Sequence, residues 1–243
     1  MIYDLITAAV SKKEKLLAFL IDPDKCNDSK LDYLVKIFEK QPPHFILVGG
    51  SLISSPIDSL VISLKSRLNV PIILYPGHPS HICPDFDAIL LLSMISGRNP
   101  ELLIGNHVVA APIIKHYKIE SISTGYMLID GGVYTSVEYI SATRPIPADK
   151  TDIIVATAMA GEMLGQKLIY MDAGSGALNP VPAKAIEEVK TNCSIPLMIG
   201  GGINTPQKLE TAFNSGADIV VIGNAIENTP ELASEFLTCI IHK

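Results

Sequence analysis

The stretch LIYMDAGSGALNP, at positions 168–180, combines an apolar run with residue types that can do chemistry. The run ends on one carboxylate, Asp172, which Gly174, Ser175 and Gly176 closely follow. A carboxylate placed there can accept a proton from a substrate hydroxyl and hold that hydroxyl in line for attack. Glycine lets backbone N–H groups come close to a bound anion. The simpler alternative is that the segment only turns a strand into a loop.

Two further apolar runs also end on glycine. PLMI is followed by three glycines that include Gly201 and Gly202, and IVVI is followed by Gly223 and Asn224. A helix N-terminus after each loop would add a favourable dipole for an anion. Any one of these loops is equally well explained as a tight turn. If the fold brings all three loops to one edge, together they favour phosphate binding.

The segment FLIDPDK carries the other informative strand end. Asp22 closes the apolar run, and Pro23 forces the chain out of the strand. A carboxylate facing a barrel mouth is well placed for Mg²⁺, which takes few protein ligands and leaves room for phosphate oxygens. Ser51, after a Gly-Gly pair, is a second candidate ligand. The alternatives are that Asp22 or Asp24 caps the next turn and that Ser51 caps the next helix.

These candidates need elements that bring strand ends together. Short apolar runs recur along the chain and are continuous rather than alternating, as strands buried on both faces should be. The eight runs are LLAFLID, FILVGG, PIILYP, AILLLSMI, SISTGYMLI, LIYMDAG, PLMIGGG and IVVIGN. Helical patterns lie between most of them. The sequence therefore predicts an α/β fold, a (β/α)8 or TIM barrel, as a single domain over 1–243.

Several helices can be placed from their patterns. KLDYLVKIFEK puts Leu31, Leu34, Val35 and Phe38 on one face. TPQKLETAFNSG has Thr205 as its predicted N-cap, Pro206 at the first helical position and Gly216 as its stop. VPAKAIEEVKTN and PELASEFLTCIIHK predict two more helices.

Two connections depart from a regular barrel. Between the third and fourth runs the chain reads GHPSHICPDFD, whose prolines leave no room for an amphipathic helix. The third helix is therefore predicted to be missing or replaced by extended chain, which would open a cleft on the barrel flank. The segment 130–150 separates the fifth run from its helix and is predicted to be an active-site loop. His78 and His81 flank the cleft, and Arg144 is a candidate diphosphate contact.

Composition narrows the function classes. The net charge of −6 argues against a nucleic-acid partner bound by a general basic surface. The four cysteines have no metal-ligand spacing, so we expect free thiols in a reducing compartment. The first residues lack a secretory-signal pattern, and no apolar run approaches the about 20 residues of a membrane span. We expect a cytoplasmic protein with no transmembrane segment. The mean hydropathy of +0.33 indicates much buried apolar surface or an apolar pocket.

The motifs LIDPDK, VGGS, YMDAGSGA, MIGGGI and VIGNA occur in the order and spacing of one known family. The chain resembles the geranylgeranylglyceryl phosphate synthase family over almost its whole length, in the branch that carries AGSGA after strand six. The resemblance implies a modified barrel without a regular third helix. It also implies a prenyltransferase that joins a polyprenyl diphosphate, most readily geranylgeranyl, to the 3-hydroxyl of sn-glycerol 1-phosphate. Diphosphate is released in this first ether-bond step of membrane lipid synthesis.

The resemblance also assigns roles to residues. It implies that Asp22 and Ser51 bind Mg²⁺ and that Asp172 is the catalytic base. It implies a glycerol 1-phosphate site made of Tyr170, Met171, Asp172, Ala173, Gly174, Ser175, Gly176, Gly201, Gly202, Gly223 and Asn224. The flank cleft would hold the prenyl tail.

Two positions differ from the family pattern. Asp172 stands where the family usually has a glutamate, so the hydroxyl must sit closer or the loop must shift. Leu20 stands where some relatives have a lysine. Neutralisation of the phosphate would then depend more on backbone N–H groups, with Lys25 as a distant candidate.

Two other readings compete with the transferase. One is an isomerase or lyase on the same phosphate-binding barrel, although such sites usually need a second acid or a lysine opposite the first. The other is a non-catalytic phosphate- or lipid-binding protein. For any of the three we expect a homo-oligomer, because barrels with exposed apolar helices often self-associate. Transient contact with a membrane would suit a lipid substrate.

Overall fold

Eight parallel strands close into a barrel in the same order as they occur in the sequence. The structure is a computed structural model, and it describes residues 1–241. The strands are β1 (Leu16–Ile21), β2 (Phe45–Gly49), β3 (Ile72–Tyr75), β4 (Ala88–Met94), β5 (Glu120–Leu128), β6 (Leu168–Asp172), β7 (Leu197–Gly200) and β8 (Ile219–Ile222). Seven of them lie within a predicted apolar run and β5 begins one residue before its run, so the predicted TIM barrel is confirmed.

Successive residues of one strand enter different cores. In β1, Leu16 and Ala18 point into the barrel, whereas Leu17 and Phe19 pack against the surrounding helices. All four are almost fully buried. A strand that is apolar on both faces shows no polar alternation, which explains the continuous runs in the sequence. The barrel interior is therefore a packed core.

Helices surround the barrel and close its lower end. Their bounds are α1 (Ile2–Ser11), α2 (Asp28–Lys40), α3 (Ile57–Arg67), α4 (Asn106–Tyr117), α5 (Ser136–Ser141), α6 (Thr151–Met163), α7 (Ala183–Asn192), α8 (Pro206–Asn214), α9 (Asn224–Asn228) and α10 (Leu232–Ile241). Glu120, at the start of β5, accepts the backbone N–H groups of Ile2 and Tyr3 and so caps α1. Among residues 1–241, no helix is long and apolar enough to cross a membrane.

The predicted helix signals are found in the structure. Thr205 accepts the backbone N–H of Lys208 at 3.3 Å, as an N-cap should, and Pro206 begins α8. Gly216 lies beyond the end of α8 with φ +112°. The predicted apolar face of α2 is buried. The terminal helix ends at Ile241, so the last two residues of its predicted pattern lie outside the described residues.

The third connection differs from the others, as predicted. Between β3 and β4 only a short 3₁₀ turn, Pro79–His81, interrupts extended chain. A five-residue π-helical turn, Glu101–Gly105, then leads from β4 into α4. Without a helix between β3 and β4, the outer side of β4 lines a pocket through Ile89 and Leu91, and α4 contacts the 3₁₀ turn. The long segment after β5 forms α5 and pairs Ile129 with Ile146 before α6 begins.

Candidate active site

A polar pocket of about 400 Å³ opens at the carboxyl ends of the strands; we call it the mouth. Eleven of the predicted site residues line it, namely Asp22, Ser51, Tyr170, Asp172, Gly174, Ser175, Gly176, Gly201, Gly202, Gly223 and Asn224. The structure does not bring Met171 and Ala173 to the mouth, because their side chains are buried between barrel and helices. These two positions can meet a ligand only through their backbone. Arg144 is exposed and lines neither pocket.

Asp172 lies at the end of β6 with its carboxylate held from two sides. Its Oδ2 accepts the Tyr126 hydroxyl at 2.7 Å, and its Oδ1 accepts the Gly174 backbone N–H at 2.8 Å. The residue is 7% exposed, and that exposure faces the mouth. Burial raises the pKa of Asp172 above its usual range, while the Tyr126 and Gly174 hydrogen bonds oppose the rise. The carboxylate is therefore fixed in orientation and more basic than a solvated aspartate.

Three buried tyrosines surround this carboxylate. Tyr75, Tyr126 and Tyr170 pack with ring centroids 5.4–6.4 Å apart. Burial and the nearby charge of Asp172 raise the pKa of all three phenols, so each remains a protonated donor at neutral pH. Sequence reasoning missed Tyr75 and Tyr126. The sequence indicates them only by their positions near the ends of two apolar runs, PIILYP and SISTGYMLI.

Gly201 and Gly202 allow the loop after β6 (loop six) and the loop after β7 (loop seven) to touch. Both have positive φ, +77° and +68°. A Cβ at Gly201 would lie 2.6 Å from Asp172 Oδ1 and from the Gly174 nitrogen, and one at Gly202 would meet the backbone of Asn179. No other residue fits here without moving backbone. The glycines therefore place an open main-chain wall directly beside the carboxylate.

Asn224 connects loop six to the loop after β8 (loop eight). Its Oδ1 accepts the Ser175 hydroxyl and the Gly176 backbone N–H, both at 2.8 Å. Its Nδ2 donates to Glu227 Oε2 at 3.0 Å. The three predicted glycine-rich loops thus form one hydrogen-bonded rim. Glu227 was not predicted, although it lies one helical turn after Asn224, where side chains share a face.

The opposite side of the mouth carries an ion-pair network. Lys25 Nζ lies 3.3 Å from Asp22 Oδ2 and 3.1 Å from Glu227 Oε2. Burial alone would lower the pKa of Lys25, but Glu227 and then Asp22 outweigh it, so the ammonium is held charged. Lys25 was the distant candidate for neutralising a phosphate. The structure places it between two carboxylates instead.

The floor between these sides is apolar. The Leu20 side chain lines the mouth, and a Cβ at Gly223 would lie 3.6 Å from Leu20 Cβ. The lysine that some relatives carry here is therefore replaced by an uncharged surface. An anion at this end of the mouth would be bound mainly by main-chain N–H groups and helix dipoles.

Asp22 and its surroundings fit a magnesium ion. Gly50 packs so closely against Asp22 that a Cβ there would lie 3.0 Å from Oδ2, and Asp22, Gly50 and Ser51 all line the mouth. No cluster of three or more His, Cys, Asp or Glu ligands occurs within 1–241. A site with one carboxylate, one hydroxyl and vacant positions suits Mg²⁺ bound with substrate phosphates rather than a caged metal. Asp22 also caps the next turn, as the alternative reading predicted, because its Oδ1 accepts the Asp24 backbone N–H at 3.0 Å. Asp24 in turn accepts hydrogen bonds from Ser54 and Ser55.

A second pocket lies on the barrel flank, where the third helix is missing; we call it the flank pocket. Its volume is about 120 Å³. Apolar side chains dominate its wall, including Ile82, Ile89, Leu91, Leu92, Met94, Leu102, Ala110, Val137 and Ile140. The flank pocket and the mouth share Gly50, Ser51, Tyr75 and Val137. The two pockets are therefore neighbours separated by a common wall.

The histidines of the flank pocket form no metal site. His78 accepts the Ser80 backbone N–H and so shapes the 3₁₀ turn. His107, on α4, lies 3.2 Å from the Ser93 hydroxyl. Burial lowers the pKa of His107, so its ring is neutral at physiological pH and adds no charge to the pocket.

Fold and site together define a class of protein. The class is that of (β/α)8 barrels whose mouth has glycine walls and carboxylates and adjoins an apolar flank pocket. The profile of the PcrB family matches residues 9–240. The chain therefore belongs to the PcrB family, which agrees with the resemblance read from its motifs.

Individual relatives agree with this assignment. The geranylgeranylglyceryl phosphate synthase of Chitinophaga pinensis is 47% identical over 98% of this chain and 95% of its own length. That of Thermococcus kodakarensis is 38% identical over 89% and 86%. Among solved structures, the (S)-3-O-geranylgeranylglyceryl phosphate synthase of Thermoplasma acidophilum in complex with substrate sn-glycerol-1-phosphate has a TM-score of 0.91. It covers 99% of this chain and 96% of its own at 28% identity.

Proposed function

We propose that the chain is a prenyltransferase that forms an ether between the 3-hydroxyl of sn-glycerol 1-phosphate and a polyprenyl diphosphate. One observation carries this proposal. A polar mouth that carries the buried carboxylate of Asp172 adjoins an uncharged flank pocket, and the two share Ser51 and Tyr75. A small phosphorylated alcohol suits the first space and a prenyl chain the second. The names of the relatives described above support the same pair of substrates.

The glycerol phosphate is assigned to the rim formed by loops six, seven and eight. Its phosphate lies against the main chain at Gly201, Gly202 and Gly223, where glycine allows close approach. Ser175 and Asn224 border the same space and hold loops six and eight together. This leaves the 3-hydroxyl to point toward Asp172.

Asp172 acts as the general base. A lone pair of the glycerol oxygen forms the new bond to the allylic carbon. The bond from that carbon to the diphosphate oxygen breaks, and its electron pair leaves with diphosphate. The hydroxyl proton passes to Asp172, whose raised pKa makes it a better acceptor than a solvated aspartate. Tyr126 keeps the carboxylate in place through its hydrogen bond to Oδ2.

Mg²⁺ is assigned to Asp22 and Ser51. When bound, it supplies positive charge that stabilises the departing diphosphate. Asp22 and Ser51 both line the mouth, and Ser51 also lines the flank pocket. The diphosphate is therefore held where the prenyl tail can enter the flank pocket.

The flank pocket supplies binding energy remote from the reacting atoms. Burying a prenyl tail contributes about 0.8 kcal/mol for each CH₂ removed from water. Energy of this kind can hold the allylic carbon in line with the hydroxyl. Geranylgeranyl diphosphate is the donor we assign to this pocket.

The test measures diphosphate release with Mg²⁺, geranylgeranyl diphosphate and each enantiomer of glycerol phosphate. We expect turnover with sn-glycerol 1-phosphate and little with the 3-phosphate. A rim that fixes the phosphate can present the primary hydroxyl of only one enantiomer to Asp172. Binding of both enantiomers is measured in parallel by calorimetry. If neither enantiomer reacts while glycerol phosphate still binds, and a longer prenyl donor also fails, the transferase proposal is wrong. A non-catalytic phosphate-binding protein would then be the better reading.

Self-association and contact with membranes remain part of the proposal. Apolar side chains on α4 and α5 are exposed, among them Val108 at 67%, Tyr139 at 78% and Ile140 at 52%. Apolar surface on neighbouring helices supports a homo-oligomer. Light scattering coupled to gel filtration tests it, and a monomer at micromolar concentration would contradict it.

A further inference from the structure

Glu227 joins the two sides of the mouth through one carboxylate oxygen. Its Oε2 accepts Lys25 Nζ at 3.1 Å and Asn224 Nδ2 at 3.0 Å. Lys25 is paired with Asp22, whereas Asn224 holds Ser175 and Gly176. A continuous chain of contacts therefore runs from the assigned metal side to the assigned glycerol phosphate side.

The backbone around Glu227 is held as well. Lys30 Nζ, reaching over from α2, donates to the Glu227 carbonyl oxygen at 2.7 Å and to the Lys25 carbonyl oxygen at 3.3 Å. The Glu227 side chain is only 11% exposed, whereas that of Lys25 is 45% exposed. The carboxylate is thus the fixed member of the pair, and the ammonium is the member that can move.

Lys25 and a metal ion compete for the same atom. The ammonium lies 3.3 Å from Asp22 Oδ2, whereas Oδ1 accepts the Asp24 backbone N–H, and Asp22 lines the mouth. A divalent cation at Oδ2 would repel the ammonium, which must then move away from Asp22. Leaving a half-buried ammonium without a partner is costly, so metal binding depends on where Lys25 can go.

We propose that Glu227 is a positioning residue that receives Lys25 and thereby frees Asp22 to bind the metal. The inference rests on the proposed function, because it takes Asp22 as a ligand of magnesium diphosphate. Glu227 touches neither substrate in this account. It acts through Lys25, and through Asn224 it keeps the phosphate rim in register while Lys25 shifts.

The first experiment compares Glu227→Gln with wild type by calorimetric titration of magnesium pyrophosphate. The glutamine oxygen can still accept from Asn224, but the charge that holds Lys25 is gone. We expect binding to weaken about fivefold, which corresponds to ~1 kcal/mol for one partly exposed ion pair. Glu231→Gln, at an exposed position shortly after α9, is the matched control and should bind like wild type. Thermal unfolding of each variant reports any general loss of structure.

A double-mutant cycle with Lys25→Met isolates the mechanism. If Glu227 acts by receiving Lys25, removing the ammonium should strengthen binding more in the Glu227→Gln background than in wild type, by at least about threefold. Equal fold-changes in the two backgrounds would mean that Glu227 contributes only its own charge, and would overturn the inference. Unchanged binding in Glu227→Gln would also overturn it. If wild type itself fails to bind magnesium pyrophosphate, the assigned metal site is wrong, and the inference falls with it.

Discussion

The mouth and the flank pocket meet at Tyr75 and Ser51, yet they are built in opposite ways. The mouth consists of loops added after strands and is walled by main chain, carboxylates and hydroxyls. The flank pocket results from an omission, because a 3₁₀ turn replaces the helix that would otherwise cover β4. A barrel can therefore gain a polar reaction site by specifying a few residues and an apolar binding site by losing one element.

The two regions also tolerate change differently. Around Asp172, added atoms meet backbone, as at Gly201, where a Cβ would lie 2.6 Å from the Gly174 nitrogen. Backbone cannot move aside without breaking the loops. In the flank pocket the neighbours are side chains that can adopt new rotamers. We therefore expect large effects from small substitutions in the mouth and graded effects in the flank pocket.

The largest effect is expected for Asp172→Asn. The amide keeps the size of the side chain but cannot accept the hydroxyl proton, so kcat/KM should fall about a thousandfold. Steady-state diphosphate release measures it. Asp152→Asn, the same change at an exposed position of α6, is the control and should keep wild-type activity. A loss smaller than tenfold in Asp172→Asn would mean that Asp172 is not the base.

The next largest is expected for Gly201→Ala. The new Cβ would contact Asp172 Oδ1 and the backbone of loop six at a residue with φ +77°. We expect glycerol phosphate binding to weaken about a hundredfold. Gly165→Ala is a matched control, since Gly165 has φ +88° but nothing within 4 Å of the added Cβ. Similar losses in both variants would show that backbone strain, not the crowding of the mouth, is responsible.

A smaller effect with a defined pH signature is expected for Tyr126→Phe. The Tyr126 hydrogen bond lowers the pKa of Asp172 against the effect of burial, so its loss should raise that pKa further. On acidification, Asp172 of the variant therefore becomes protonated at a higher pH than Asp172 of the wild type. The acid limb of the pH profile of kcat/KM should therefore move to higher pH, with about a tenfold loss at pH 7. Tyr139→Phe, at an exposed site, should leave the profile unchanged. A shift to lower pH would contradict this account.

The smallest effect is expected in the flank pocket. Ala110→Leu adds bulk to the wall contributed by α4. The KM for geranylgeranyl diphosphate should rise several-fold, while calorimetric binding of glycerol phosphate stays constant. Ala111→Leu places the same change at an exposed position of the same helix and should have no effect. Equal loss of binding for both substrates would mean that the two pockets are not independent.

Much of the barrel could be predicted because its signals are local. The short apolar run at 168–172, bounded by glycines, favours a strand, and Thr205 with Pro206 begins a helix by chemistry contained in the segment. The absence of a third helix could also be predicted from nearby residues, because the prolines at 79 and 84 exclude a helix there. Glycine-rich loops after three strands follow from the same kind of reasoning. The six-residue helix α5 inside the segment after β5 was not foreseen, because six residues carry little periodic signal.

The partners of the site residues could not be predicted in the same way. Tyr126 contacts Asp172 across 46 positions of sequence, and Lys25 contacts Glu227 across 202. Nothing local distinguishes these side chains from others of their type. Lys25 illustrates the difficulty, since its position in the sequence does not indicate that Asp22 and Glu227 lie beside it.

The sequence by itself determined which residues form strands, where those strands end, and that Asp22, Asp172 and the glycines stand at those ends. Tertiary structure decided which of them meet. Barrel closure brings β1 beside β8, and this pairing sets Asp22 and Lys25 next to Glu227. The physical reason is that propensity and steric exclusion act over a few residues, whereas a hydrogen bond or an ion pair depends on distances that exist only after the chain has closed.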